Sequence, residues 1–233
     1  DRQSPLQVSQ SVMAWETTAR AGQEKKYSAP GIKMPGVSNG APGEIPRILG
    51  QVMGTYIIAE RENSLVLIDQ HAAHERVVYE ALKKRHQRLD VQSQNILVPE
   101  VLDLNHREAD LLSGILGELA AMGLKIEPFG GTCFVIKAIP CLVDEKQLKP
   151  LVLEIIDTLV DGSSLKEDWL DAALVSMACH SAIRATKPMN LREMDQLLED
   201  LERCENPLHC PHGRPTLVAF DVLQMERLFK RLV

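Results

Sequence analysis

The sequence predicts an α+β fold in two subdomains. Three observations carry that expectation. Apolar runs at 47–59 and 65–68 read as strands, and from about His71 the pattern changes to helical spacing. Capping signals mark later helix starts: Asn105 with Glu108, Ser164 with Glu167, and Asn190 with Glu193. The middle of the chain, about 95–178, carries its own helix–hairpin–helix set. It reads as an inserted subdomain between the two parts of another, 44–94 and 179–233.

Taken in order, residues 1–43 are rich in Gly, Pro, Ser and Gln with no apolar period, which is the composition of a disordered linker. Met13 and Trp15 within it fit either a short docking segment or plain linker. The strands at 47–59 and 65–68 flank the polar turn "ERENS". The helix over 71–87 is expected to place Ala73, Val77, Ala81 and Leu82 on one face. An extended stretch at 91–104 is interrupted by Pro99, and the Asn105 cap opens a helix to about Met122. "LKIEPFGGTCFVIKAIP" predicts a hairpin around Gly130–Gly131. Helices follow over 151–160, stopped by Asp161–Gly162, and from Ser164 to about Thr186, before Pro188. "LREMDQLLEDLER" is the next helix, then a loop, a strand at "TLVAF" and a last helix capped by Asp221.

The chain has 233 residues, 45% hydrophobic and 25% charged, an ordinary globular composition. It begins at Asp1 and reads as a piece of something longer. No run of about 18 apolar residues is present, so no membrane span is expected. Five cysteines in no small-domain disulfide pattern fit a reducing cytoplasm. A net charge of −6 argues against a strong general nucleic-acid binder, although two basic runs, Lys83–Lys84–Arg85 with Arg88, and Arg227 with Lys230 and Arg231, suit either phosphate contact or a solvated helix face.

Two clusters of residues suit a metal. His71 and Glu75 are four apart and share a helix face, with Asp69 at the strand end as either helix cap or ligand. In "HCPHGRP", Cys210 and His212 lie two apart on a loop stiffened by prolines, a spacing that serves one ion or a simple turn. Cys179, in an apolar helical stretch, reads on its own as a core residue. H-E-x-x-H, the zinc-deaminase pattern, the G-x-x-x-x-G-K-[ST] phosphate loop and the G-x-S-x-G elbow are all missing. "QNILVP" at 94–99 reads as an edge strand ending at Pro99 or as an extended segment offered to a groove.

Together these features resemble the C-terminal domain of the MutL DNA mismatch-repair proteins, of the endonuclease-bearing type. D-Q-H-A-x-x-E-x-x-x-x-E is complete from Asp69 to Glu80, "ACH" at 178–180 matches an A-C-R-like motif, and C-P-H-G-R-P is matched at 210–215. The resemblance covers about 45–233, with the motifs in the same order. It departs at His180, where many members have Arg.

The resemblance implies a metal-dependent endonuclease that nicks duplex DNA. It implies metal ligands at His71, Glu75, Cys179, Cys210 and His212, and catalytic roles for Asp69, His71 and Glu75. Glu80 and Arg214 are expected to support the site rather than bind metal. Zn²⁺ in a structural or regulatory role and Mn²⁺ in cleavage are the implied cofactors, with ATP used only by an N-terminal domain outside this chain. The implied partners are a second copy of the chain, weakly held double-stranded DNA, the mismatch-recognition protein MutS through the full-length protein, and the bacterial β sliding clamp. For the clamp the residues are Gln94, Ile96, Leu97 and Pro99. The same resemblance places the protein in the bacterial cytoplasm, at the nucleoid. The alternative is a non-catalytic dimerisation module stabilised by zinc.

Overall fold

Two antiparallel sheets and six α-helices make up the part of the chain that the computed structural model describes, residues 46–160, 166–181 and 188–231. The α+β expectation holds. The linker at 1–43, with Met13 and Trp15, and the stop, cap and end expected at Asp161–Gly162, Ser164 and Thr186 lie outside the described residues. No described helix is long and apolar enough to cross a membrane.

The first sheet runs in the order β1–β2–β3–β7. β1 (Arg47–Val52) and β2 (Tyr56–Arg61) are separate strands where the sequence suggested one stretch. The chain reverses at Met53 (φ 53°) and Gly54 (φ 63°), closed by a hydrogen bond from Thr55 N to Val52 O of 3.1 Å. Two central residues at positive φ match the twist of an antiparallel pair. β3 (Ser64–Asp69) pairs on its far side with β7 (Leu217–Asp221), from near the other end of the described residues. Alternation points Ile57, Ala59, Val66 and Ile68 to one face, where they pack under α1 (Gln70–Gln87) and α5 (Leu191–Glu202). The opposite face carries Ile58, Leu65, Leu67, Val218 and Phe220, all only half-buried. α6 (Val222–Leu228), capped by Asp221 as expected, follows β7.

The second sheet runs β4–β6–β5, from β4 (Ser93–Asp103), β5 (Lys125–Gly130) and β6 (Cys133–Pro140). Its core is filled by α2 (His106–Ala121), α3 (Leu148–Val160) and α4 (Lys166–Ser181). The Asn105–Glu108 and Asn190–Glu193 boxes both close as the spacing predicts. The interruption expected near Pro99 is a break in the ladder. β4 pairs with β6 up to Asn95 and resumes at Glu100, leaving Leu97 and Val98 93% and 77% exposed on the edge strand.

One expectation is corrected. Leu82 does not share a face with Ala73, since nine residues turn an α-helix by about 180°. Ala73 and Val77 meet the core under the first sheet, whereas Leu82, with Val78 and Tyr79, enters the core of the second. α1 therefore lies between two cores and is buried on both sides. Even its polar Gln70, Glu75, Arg76 and Glu80 are buried.

Candidate metal centre

Buried charge must be answered locally, so the polar residues of α1 dictate their own surroundings. Asp69 Oδ1 accepts hydrogen bonds from the backbone N–H of His71 and Ala72 at 2.9 and 3.0 Å, capping the helix. One turn in, Glu75 has no exposed surface. Its Oε1 accepts from Cys179 Sγ at 3.1 Å and pairs with His71 Nε2 at 3.1 Å. Arg214 Nη2 donates to both oxygens at 3.2 and 3.1 Å, and His212 Nδ1 stands 3.5 Å from Oε2. Cys179 Sγ is 3.5 Å from His212 Nε2. Glu75, Cys179 and His212 each offer a ligand atom, and the three atoms lie within 4.8 Å of one another. A carboxylate, a thiol and an imidazole at that separation are a donor set that fits a divalent transition metal.

Three parts of the chain supply this trio. Cys179 stands near the end of α4, which packs along α1. It is half-buried rather than a plain core residue. His212 belongs to the loop before β7, which is tied by a His209–Pro215 bridge and by Cys210 N donating to Arg214 O at 2.8 Å. Gly213 sits at φ +82°, a conformation that side chains resist. Cys210 is buried in this turn and His71 touches the trio through Glu75, but neither belongs to the group of three.

The loop is held from beneath by α1 itself. Glu80 accepts from Glu205 N at 2.7 Å and Asn206 N at 3.1 Å, and Arg76 Nε donates to His209 O at 2.6 Å. Glu80 thus supports the loop and is not a member of the trio. Arg76 was not singled out by motif, although its position four residues before Glu80 on a helix is a legible pairing signal. Glu154 was missed as well. Its oxygens accept from Ser176 Oγ and pair with His180 Nε2, both at 2.8 Å, fastening α3 to α4 beside Cys179. A lone carboxylate inside the apolar run "LVLEIID" was the available sign.

The electrostatics follow the packing. Burial pushes the Glu75 carboxyl up, but the Cys179 hydrogen bond and the nearby His71, Arg214 and His212 outweigh it and hold it below its ordinary value. Burial, and then the hydrogen bond to Glu75, push the Cys179 thiol up to about 12. A cation taking that sulfur as thiolate must therefore displace a proton.

Residues 49–189 match the family model described as the MutL C terminal dimerisation domain. The chain belongs to that family. Among its curated relatives, the DNA mismatch repair protein MutL of Azorhizobium caulinodans is 36% identical over 97% of this chain and 38% of its own length. Those of Shouchella clausii and Rhizorhabdus wittichii are 36% and 39% identical, over 83% and 78% of this chain and 30% and 31% of their own lengths. The chain thus spans about a third of the length of the MutL proteins it matches. The family match includes Glu75 and Cys179 and ends before the Cys210–Pro215 loop.

Proposed function

We propose that this chain is the metal-dependent DNA-nicking endonuclease domain of a mismatch-repair MutL protein, and that it also forms a homodimer. The convergence of Glu75, Cys179 and His212 within 4.8 Å carries the reading. His71 and Cys210, beside the trio, are its proposed further ligands. A divalent cation held there by Glu75, Cys179 and His212 would supply Lewis acidity for phosphodiester hydrolysis. Thiolate and imidazole suit Zn²⁺ in a structural or regulatory role, while the carboxylate also accepts Mn²⁺ for cleavage. Asp69 fixes the start of α1, and hence the direction in which His71 and Glu75 point, and its carboxylate charge, which asparagine lacks, is proposed to serve cleavage directly. Lys84 pairs with Glu80 and Lys83 with Asp171, so in the first basic run Arg85 and Arg88 are the proposed phosphate contacts. ATP and MutS act on the full-length protein, at the nucleoid in the bacterial cytoplasm.

Nicking of supercoiled plasmid with Mn²⁺ by the full-length protein tests this. Asp69→Asn and Glu75→Lys are expected to abolish the activity, and equal cutting by all three proteins sinks the catalytic assignment. A second reading, a zinc-stabilised dimerisation module, is favoured by one observation: Asp69 Oδ1 is already committed to two helix N–H groups. Bound zinc without cutting would select it.

The remaining proposals concern surfaces. Residues 44–94 and 179–233 form the dimerisation and endonuclease subdomain, and 95–178 the inserted regulatory one. The half-buried apolar face of the first sheet is the proposed dimer contact, which Leu67→Asp should dissociate in sedimentation. The stretch of β4 from Gln94, which still pairs with Ile139, through Ile96 and Leu97 to Pro99 is the proposed β-clamp ligand, since its exposed Leu97 and Val98 stand off the ladder on an edge strand, suited to adding onto a groove. Unchanged clamp affinity after joint Gln94→Ala and Pro99→Ala substitution would remove it.

A further inference from the structure

Glu75 is a buried carboxylate with four neighbours, and they are not equivalent. His71 and His212 carry charge only when protonated, and Cys179 is a thiol. Arg214 is the permanent cation, and its Nη2 spans both carboxylate oxygens. A buried carboxylate without a counter-charge is costly, so the guanidinium satisfies Glu75 in the metal-free protein. A divalent ion on Glu75 would claim the same lone pairs and stand as a like charge beside the guanidinium.

Arg214 is also unlike the other partners in its freedom. Its side chain is 59% exposed while that of Glu75 is 0%. Its backbone is held independently, because Arg214 O accepts from Cys210 N and the next residue, Pro215, bridges to His209. Its guanidinium also bonds the Cys210 side chain, so leaving Glu75 releases that contact as well, by rotation about the arginine's own bonds with the loop backbone staying in place. Outside, it stands at the mouth of the centre as a planar donor fork, the geometry that fits a phosphate.

We propose that Arg214 is a tethered counter-ion for Glu75 that competes with the metal, is displaced when the metal binds, and then takes a DNA phosphate. The idea rests on the metal reading above and adds a regulation to the same site. Metal loading and phosphate capture become linked, so in the metal-free domain the guanidinium stays on Glu75 rather than on DNA.

Zinc affinity, measured on this chain by competition with a chromophoric chelator, tests the exchange for wild type, Arg214→Lys and Arg214→Gln. Removing the charge should tighten zinc on the order of tenfold, the size of effect that outer partners have on metal sites. Arg214→Lys should stay near wild type. Structural damage would weaken zinc, so the direction is diagnostic. The melting temperature of Arg214→Gln should fall in the metal-free protein and recover with zinc. In duplex-DNA titrations, the zinc-loaded wild type should show a salt dependence steeper by about one phosphate contact than Arg214→Gln, and the metal-free pair should not differ. Wild type that binds zinc, with Arg214→Gln equal or weaker, overturns this proposal and leaves the metal reading intact. Zinc bound by neither protein overturns both. A salt dependence that differs equally with and without zinc overturns the displacement.

Discussion

The core of the second sheet and the core under the first are built on opposite principles. The former gathers Leu102, Leu112, Leu119, Ile136, Leu151 and Ile155, all at most 1% exposed, from β4, α2, β6 and α3. The latter is smaller, and beside it lies a buried polar layer: Gln51 donating to Gln70 at 2.6 Å, Arg76 on the His209 carbonyl, and Glu80 on two backbone N–H groups. α1 belongs to both. Its apolar residues lock it into the larger core, and that rigidity holds its polar residues where they can organise a loop and a candidate centre. Apolar burial is tolerant of direction, whereas the polar layer depends on particular distances.

A cavity in the larger core separates the two most strongly. Leu112→Ala should cost about 2–5 kcal/mol in chemical denaturation while leaving zinc affinity unchanged. Glu80→Ala should cost about 3 kcal/mol, because Arg76 and two backbone N–H groups lose their partner inside the protein. Unlike the cavity, it should also weaken zinc by loosening the loop that carries His212, as a chelator competition will read. Equal zinc affinity in the two variants would deny the polar layer its role.

Acid sharpens the comparison further. Burial raises the Glu80 carboxyl, but the Glu205 and Asn206 N–H groups and Lys84 bring it below its ordinary 4.5. Glu154 is likewise raised by burial and lowered further by His180 and Ser176. A carboxylate depressed by folding contributes stability above its unfolded pKa and loses it as pH falls through its folded one. The metal-free domain should therefore lose stability progressively below about pH 4.5, and Glu80→Gln should flatten that loss in denaturation curves taken across pH. The smallest effect is expected at the cap: Asp69→Ala should cost about 1 kcal/mol, seen as a lowered melting temperature.

Legibility divides in the same way. Asn105, Asn190 and Asp221 cap their helices as their spacing announced, because a cap is a contract between residues three apart. The two-sided burial of α1 was not legible. Its mixed apolar pattern suggested one stripe, and Leu82 faced a core made of elements later in the chain. Glu80 lies five residues after Glu75, about 140° around the helix, yet its backbone partners, 125 and 126 residues on, had no local signature.

The α+β class, the strand-to-helix handover at Asp69 and the residue types able to hold a metal are all written in local pattern. Those depend on chain stiffness and on neighbours within a helical turn. It takes the folded chain to bring Cys179 to Glu75 across 104 residues and to His212 across 33, and to bring Arg214 to the same carboxylate. Such meetings require α4 to pack along α1 and the last loop to be pinned to α1. Both follow from the burial of surfaces far apart in sequence, which no local pattern encodes.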